Sequence, residues 1–211
     1  MLRLYYAPGT CALAPHIALV EAHAHYETVR LDLKTEDQRE PDYLKINPKG
    51  RVPALLTEQG VLTETPAILT YIAQTHPAAQ LAPGDPYLLG KVQAFNSYLC
   101  ATVHVARGHR VAGRRWSDDP AALEAMKRKV PQTVGECYAL IEHAMLAGPW
   151  VMGDRYSICD PYLFTLTRGL AADGVDVNRT PKIADHFARM SERPAVRQAI
   201  AEETLPSESS A

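Results

Sequence analysis

The sequence predicts an α/β unit followed by an all-helical one, and three observations carry that prediction. Residues 1–77 alternate short apolar strand signals with helical patterns, in the order βαβ and then ββα. Between His76 and Pro86 the chain carries Pro77, Pro83, Gly84 and Pro86, which break regular structure and mark a linker over 78–86. Beyond it the composition changes to long helical stretches, read as an all-helical domain over 87–203 with a mobile polar tail at 204–211.

Leu2 to Tyr6 reads as the first strand, Pro15 to Ala24 as a helix and Tyr26 to Leu31 as the second strand. A polar stretch rich in Asp, Glu and Lys follows. Ile46-Asn47-Pro48-Lys49-Gly50-Arg51-Val52-Pro53-Ala54-Leu55-Leu56 is a turn signal feeding a short apolar strand. Gln59-Gly60 separates that strand from Val61-Leu62 as a hairpin does, and Glu64 to Thr75 reads as a helix with Ile68, Tyr71 and Ile72 at core spacing. In the second part Tyr87 to Val111, Pro120 to Leu146, Pro161 to Ala172 and Thr180 to Glu203 read as helices, the last interrupted by Pro194. Ser157-Ile158-Cys159-Asp160 has the form of a capping box in front of the Pro161 helix.

A chain of 211 residues is long enough to bury a substantial core. Its 22 Lys and Arg against 24 Asp and Glu, a formal net charge of -2, leave no electrostatic footprint for nucleic acid or an anionic membrane. No apolar stretch approaches the roughly 20 residues that span a bilayer. Met1-Leu2-Arg3-Leu4 runs straight into a strand without a signal-peptide pattern, so a cytoplasmic location is expected. The four cysteines, Cys11, Cys100, Cys137 and Cys159, lie far apart without a C-x-x-C pair, which suggests neither a disulfide framework nor a metal site.

Cys11 stands apart from the other three. In Tyr5-Tyr6-Ala7-Pro8-Gly9-Thr10-Cys11-Ala12-Leu13-Ala14-Pro15-His16 a strand gives way to a proline-glycine turn and then to a helix. Unpaired N–H groups and the positive end of the helix dipole favour thiolate there, so Cys11 is read as the centre of the chemistry. Cys137 and Cys159 are read as small buried hydrophobes.

Four motifs carry a resemblance. Tyr5-Tyr6-x-Pro8-Gly9-x-Cys11-x-Leu13-x-Pro15-His16, Asn47-Pro48-Lys49-Gly50-Arg51-Val52-Pro53, Leu62-Thr63-Glu64-Thr65-x-Ala67-Ile68 and the Ser157 to Asp160 box together resemble the glutathione S-transferase family. The first is similar to the bacterial beta class, in which cysteine stands where other classes place tyrosine or serine. The resemblance implies a thioredoxin-like first domain, glutathione as co-substrate, a small electrophile or disulfide as second substrate, and a homodimer. It also implies a cis bond at Val52-Pro53, although an X–Pro bond is trans by default, so that the backbone of Val52 pairs with an extended peptide.

By the same resemblance Glu64 takes the ammonium of the γ-glutamyl group and the Thr65 hydroxyl and N–H take its carboxylate; the bland alternative is that both merely cap a helix. His104 matches the beta-class histidine that faces the cysteine, where an imidazole hydrogen-bonds a thiolate or shuttles its proton; a lone helical histidine is otherwise exposed or packed in a core. Cys100 reads as a packed cysteine or a resolving thiol, and His16 as a packing residue. Arg107, His109, Arg110, Arg114 and Arg115 either line a cleft mouth or form a solvated face. Tyr98, Val105, Trp116 and Tyr162 are candidates to face the second substrate.

Two positions depart from the family pattern. The lysine expected after the second strand to hold the glycyl carboxylate is replaced by Glu36, with Lys34 nearby as the substitute. The cleft asparagine appears as Ser97. With Ala14 in place of a second cysteine, Cys11 has no neighbouring resolving thiol, and disulfide exchange needs an external one. Glutathione transfer to electrophiles, with thiol-disulfide exchange through Cys11, is therefore the expected activity. A non-catalytic binding or regulatory protein on the same fold is the alternative that Glu36 keeps alive, and a glutathione-dependent isomerase or dehalogenase is a third.

Overall fold

The computed structural model describes residues 1–204. The chain forms two compact units, one of Met1–Pro83 with the described residues from Met190 onward, the other of Gly84–Arg189. The sequence reading assigned all of 87–203 to one helical domain; the last helix packs with the first unit instead.

In the first unit β1 (Leu2–Tyr6), α1 (Leu13–Glu21) and β2 (Tyr26–Arg30) are followed by α2 (Pro41–Ile46), β3 (Ala54–Thr57), β4 (Gly60–Thr63) and α3 (Thr65–Thr75). The sheet order is β2-β1-β3-β4. β1 and β2 run parallel with Leu2 opposite Tyr26, which requires the crossover through α1. β3 is antiparallel to both β1 and β4. This is the βαβ and ββα order expected from the sequence. Thr57 Oγ1 closes the β3–β4 turn by donating to the Gly60 carbonyl at 2.8 Å and accepting from the Gln59 N–H at 3.1 Å.

Alternation along the strands sends Leu4 and its register partner Leu55 to one face, buried like the α1 and α3 residues Leu13, Ile17, Ile68 and Ile72. Tyr5 and its partner Ala54 point the other way, into a cluster with Leu31 and Tyr43. Tyr43 belongs to α2, a helix within the polar stretch that follows β2. Pro41 starts this helix at a position whose N–H is not needed, and only one of its residues, Tyr43, is buried, so it carries no apolar periodicity to read.

The last helix, α9 (Pro194–Thr204), packs against α1. Arg193, just before it, forms a two-pronged pair with Glu21 on α1, at 2.7 and 2.9 Å.

In the second unit α4 (Pro86–Tyr98) and α5 (His104–Val111) are joined by a π-helical turn over Leu99–Val103, and α6 (Pro120–Leu140) ends in a second one. α7 is Cys159–Thr167 and α8 Pro181–Glu192. Asp85 and Asp119 cap α4 and α6, accepting from Leu88 N at 2.8 Å and Ala121 N at 3.0 Å. α7 starts two residues before Pro161 and ends before the expected Ala172. The chain must turn at Gly169, where an added Cβ would run into the Arg107 guanidinium, and at Gly174, whose φ is +75°. Of the tail read as mobile, only Thr204, the last residue of α9, lies within the described residues.

Buried carboxylates organise this unit. Asp160, fully buried, accepts from Val151 N at 2.8 Å, Ser157 N at 2.7 Å, Ser157 Oγ at 3.3 Å and His186 Nε2 at 3.0 Å. The expected capping box is thus present and extends to α8. Glu142 accepts from Lys182 N and Ile183 N, both at 3.0 Å, capping α8 from outside it. Asp173 receives Arg107 and Arg110, the latter at 2.8 Å. Arg107 and Arg110 of the basic run therefore neutralise a buried acid, while His109 stacks on Trp116 at 4.5 Å. Among the described residues no helix is long and apolar enough to cross a membrane.

Replacing Asp160 by Ala strands several buried donors at once and is expected to lower unfolding free energy by about 3 kcal/mol or more, read from chemical denaturation. A loss under about 1 kcal/mol would mean that these donors find other acceptors.

Candidate functional site

The β1–β3–β4 register brings three segments to one end of the strands. Tyr5 pairs with Ala54 and Ala54 with Thr63. The exit of β1 toward Cys11, the entry of β3 through Val52-Pro53 and the exit of β4 into Glu64-Thr65 therefore lie side by side.

Cys11 is partly exposed in the turn between β1 and α1. Thr10 shapes that turn: its hydroxyl donates to the Ala7 carbonyl at 2.7 Å and accepts from Ala12 N at 3.3 Å. Cys11 Sγ lies 3.8 Å from the Val52 carbonyl oxygen, to which the thiol donates. The Val52-Pro53 bond is cis.

The loop before it is gripped at one atom. The Arg51 carbonyl accepts from Asn47 Nδ2 and from the Tyr43 hydroxyl, both at 2.6 Å. Burial pushes the Tyr43 phenol up to about 12, so it keeps its proton and remains a donor. Gly50, at φ +57°, donates to the Asn47 carbonyl at 2.9 Å; a Cβ there would stand 2.8 Å from Arg39 Nη1 and 3.0 Å from the Gln38 carbonyl. Only glycine fits this turn. The signal for the turn was in the sequence, but its partners Tyr43 and Arg39 were not.

Glu64 occupies the position before α3 with φ 72° and ψ 124°, a conformation that L side chains rarely adopt, and Thr65 begins the helix fully inside. The Glu64 carboxylate pairs with Lys49 Nζ, which also donates to Thr63 Oγ1 at 2.6 Å. Glu64 thus already holds an ammonium group, supplied by the chain itself. The sequence reading did not foresee Lys49 in this place.

Lys34 and Glu36 are exposed on a loop braced by Asp32 and Asp37. The Lys34 N–H donates to Asp32 Oδ1 at 2.8 Å, and Asp37 accepts from Asp32 N at 2.8 Å and Thr35 Oγ1 at 2.7 Å, which holds its carboxyl below the usual range. Glu36 is left-handed, at φ 62°.

Ser97 and His104 belong to the second unit. Ser97 is exposed on α4, whereas the neighbouring Asn96 is fully buried and neither of its amide atoms has a hydrogen-bond partner among the described residues. His104 opens α5, half-buried, directly after the π-helical turn that contains Cys100. Of the residues offered for a second substrate, Val105 and Trp116 are exposed. Tyr98 pairs with Cys137, and burial pushes its phenol up. Tyr162 is fully buried and belongs to the core, because α7 is buried on every side. Cys159 is also core: burial first and then Asp160 push its thiol up, and it donates to the Val92 carbonyl at 3.6 Å. Among the described residues no group of three or more His, Cys, Asp or Glu could hold a metal ion.

A thioredoxin-like sheet with a thiol at its first strand-to-helix turn, continued by a helical unit, defines the class of protein, and comparison with known proteins agrees. Residues 1–74 match the model of the glutathione S-transferase N-terminal domain. The chain is 34% identical over 207 residues to glutathione S-transferase GstA of Escherichia coli O157:H7, covering 97% of this chain and 100% of that one. A glutathione transferase homologue from Sulfitobacter, solved with bound glutathione, superposes with a TM-score of 0.94 at 42% identity, over 97% of this chain and 99% of the other. The bacterial beta-class glutathione S-transferase of Sphingomonas chungbukensis superposes with a TM-score of 0.84 at 33% identity, over 97% and 100%. The chain belongs to the glutathione S-transferase family.

Removing one of the two donors to Arg51, by Asn47→Ala or Tyr43→Phe, is expected to cost about 1 kcal/mol, since the other still satisfies the carbonyl. The double variant should lose more than the sum of the two, measured as a double-mutant cycle in chemical denaturation. Strict additivity would show that the two donors act independently.

Proposed function

We propose that the protein is a beta-class glutathione transferase that conjugates glutathione to small electrophiles, detoxifying them, and exchanges disulfides through Cys11. The observation that carries this reading is the contact of Cys11 with the Val52 carbonyl at the end of the strands that also bears Glu64 and Thr65. Full-length likeness to a homologue with bound glutathione supports it. Glutathione adds to the Val52-Pro53 segment as an extended strand, Glu64 takes its ammonium in exchange for Lys49, and Thr65 takes the γ-glutamyl carboxylate. Lys34 serves the glycyl carboxylate, and Ser97 and His104 assist at the thiol. The working form is a homodimer in the cytoplasm.

In conjugation the glutathione thiol is held as thiolate and attacks the electrophile, with His104 exchanging the proton. In disulfide exchange the Cys11 thiolate attacks the glutathionyl sulfur of a mixed disulfide, forms Cys11–S–S–glutathione and expels the other thiolate, which takes a proton. A second glutathione thiolate then attacks that disulfide, releasing oxidised glutathione and the Cys11 thiolate.

Incubation with oxidised glutathione near neutral pH, followed by peptide mapping by mass spectrometry, should give a fast adduct at Cys11 and little at Cys137 or Cys159. Equal labelling of all four cysteines would defeat the reading. Glu64→Gln is expected to raise KM for glutathione about tenfold, the worth of one charge-assisted hydrogen bond. His104→Ala should lower kcat and move its pH profile with the glutathione KM left in place.

A further inference from the structure

The last turns of α9 bring two neighbouring carboxylates to the segment that carries Cys11. Glu203 Oε2 accepts from Gly9 N at 3.5 Å, two residues before the cysteine. Glu202 Oε2 receives two donors, the His16 ring nitrogen Nε2 at 2.7 Å and the Tyr26 hydroxyl at 2.9 Å. Its other oxygen accepts from Gln198 Nε2 at 2.8 Å, one turn back on the same helix. One side chain thereby ties α9 to α1 and to β2.

The His16 ring is fully buried between Tyr6 and Tyr26, with ring centroids 5.8 and 5.6 Å away. Burial lowers its pKa and outweighs the opposing pull of Glu202, so the ring is neutral. A neutral ring that donates from Nε2 leaves Nδ1 as a bare acceptor, and Nδ1 has no partner among the described residues. Tyr26 keeps its proton, since burial and Glu202 both raise its pKa. The ionisable groups that act on Glu202 are His16 from α1 and Tyr26 from β2, while Tyr6 at the end of β1 feels the charges of Glu203, Arg30 and Glu202 itself. Burial of Glu202 works against its charge, but the hydrogen bonds from Gln198, His16 and Tyr26 prevail and hold its carboxyl below the usual range.

These contacts constrain Cys11 from both sides. His16 lies in the first turns of α1, five residues past the cysteine, and its ring cannot turn between two tyrosines in a close-packed interior. With the ring held, α1 cannot rotate about its axis, and the turn that leads into it is held at Gly9. We propose that Glu202 is a positioning residue for Cys11: by gathering the His16 and Tyr26 donors on one oxygen it sets the orientation of the α1 N-terminus toward the thiol. The proposal rests on reading Cys11 as the reactive thiol.

The test is the pH dependence of Cys11 alkylation by iodoacetamide, followed by peptide mapping in the full chain, for the parent, Glu202→Ala, Glu202→Gln and Tyr26→Phe. In the parent, Cys11 should alkylate with a midpoint below that of an ordinary thiol, about 8.5. Glu202→Ala should move the midpoint up by about one unit and slow alkylation near neutral pH about tenfold. In Glu202→Gln the amide oxygen still accepts from both donors, and the profile should stay with the parent. Tyr26→Phe should give a smaller shift in the same direction and carries the test alone should Glu202→Ala fail to fold. Parent profiles in both Glu202→Ala and Tyr26→Phe would overturn the proposal and leave Glu202 a role in the fold only. A shift in Glu202→Gln equal to that in Glu202→Ala would overturn it in favour of a long-range charge effect. A parent in which Cys11 reacts no faster than Cys100 would overturn the reading of Cys11 itself, and this proposal with it.

Discussion

Parallel pairing of β1 with β2 is the constraint from which the first unit follows. Two parallel neighbours cannot be joined by a hairpin, so the chain must cross over, and the turn out of β1 opens onto a helix N-terminus. That turn holds Cys11. Because β3 then runs antiparallel to β1, its start meets the end of β1, and because β4 runs antiparallel to β3, its end arrives at the same end of the sheet. A thiol, the Val52-Pro53 segment and a helix start are thus collected by strand direction alone. Side chains refine what topology assembles: Tyr43 and Asn47 hold the Arg51 carbonyl, and Gly50 permits the turn that lets them.

The second unit is built on a different principle. Its fully buried acids are each given several donors: Asp160 has amides, a hydroxyl and an imidazole, and Asp173 has two guanidinium groups. Leaving such a carboxylate unpaired would cost several kcal/mol, so each one dictates where its donors must stand. Asp160 joins the start of α7 to α8 and to the chain at Val151, and Glu142 caps α8. Arg107 and Arg110 have their reason here, in the acid they neutralise.

Glu202 and Glu203 apply the same chemistry to the first unit. Carboxylates from the end of the described chain meet groups near its start, at Gly9, His16 and Tyr26. Such contacts exist only because α9 lies on α1, with Arg193 and Glu21 closing the other end of that packing. His16, read from sequence as a packing residue, is indeed enclosed by aromatic rings, but its Nε2 reaches a carboxylate far along the chain.

The sequence by itself determined the strands and most helices, because alternation with period two and the 3.6-residue stripe are local properties, and proline, glycine and capping residues mark their ends. It also set Cys11 apart, because a strand-to-helix turn is written in adjacent residues, whereas Val52-Pro53, Glu64 and Thr65 stood out only through the resemblance of their motifs. α2 escaped because a helix with one buried residue has no stripe, and Tyr162 was offered to a cleft because a helix buried all round looks locally like one with a single apolar face. Lys49 on Glu64, the two donors on Arg51 and the carboxylates of α9 were decided only by the tertiary structure. Hydrogen bonds and ion pairs depend on distances between groups, and those distances are set by how elements far apart in the chain pack together.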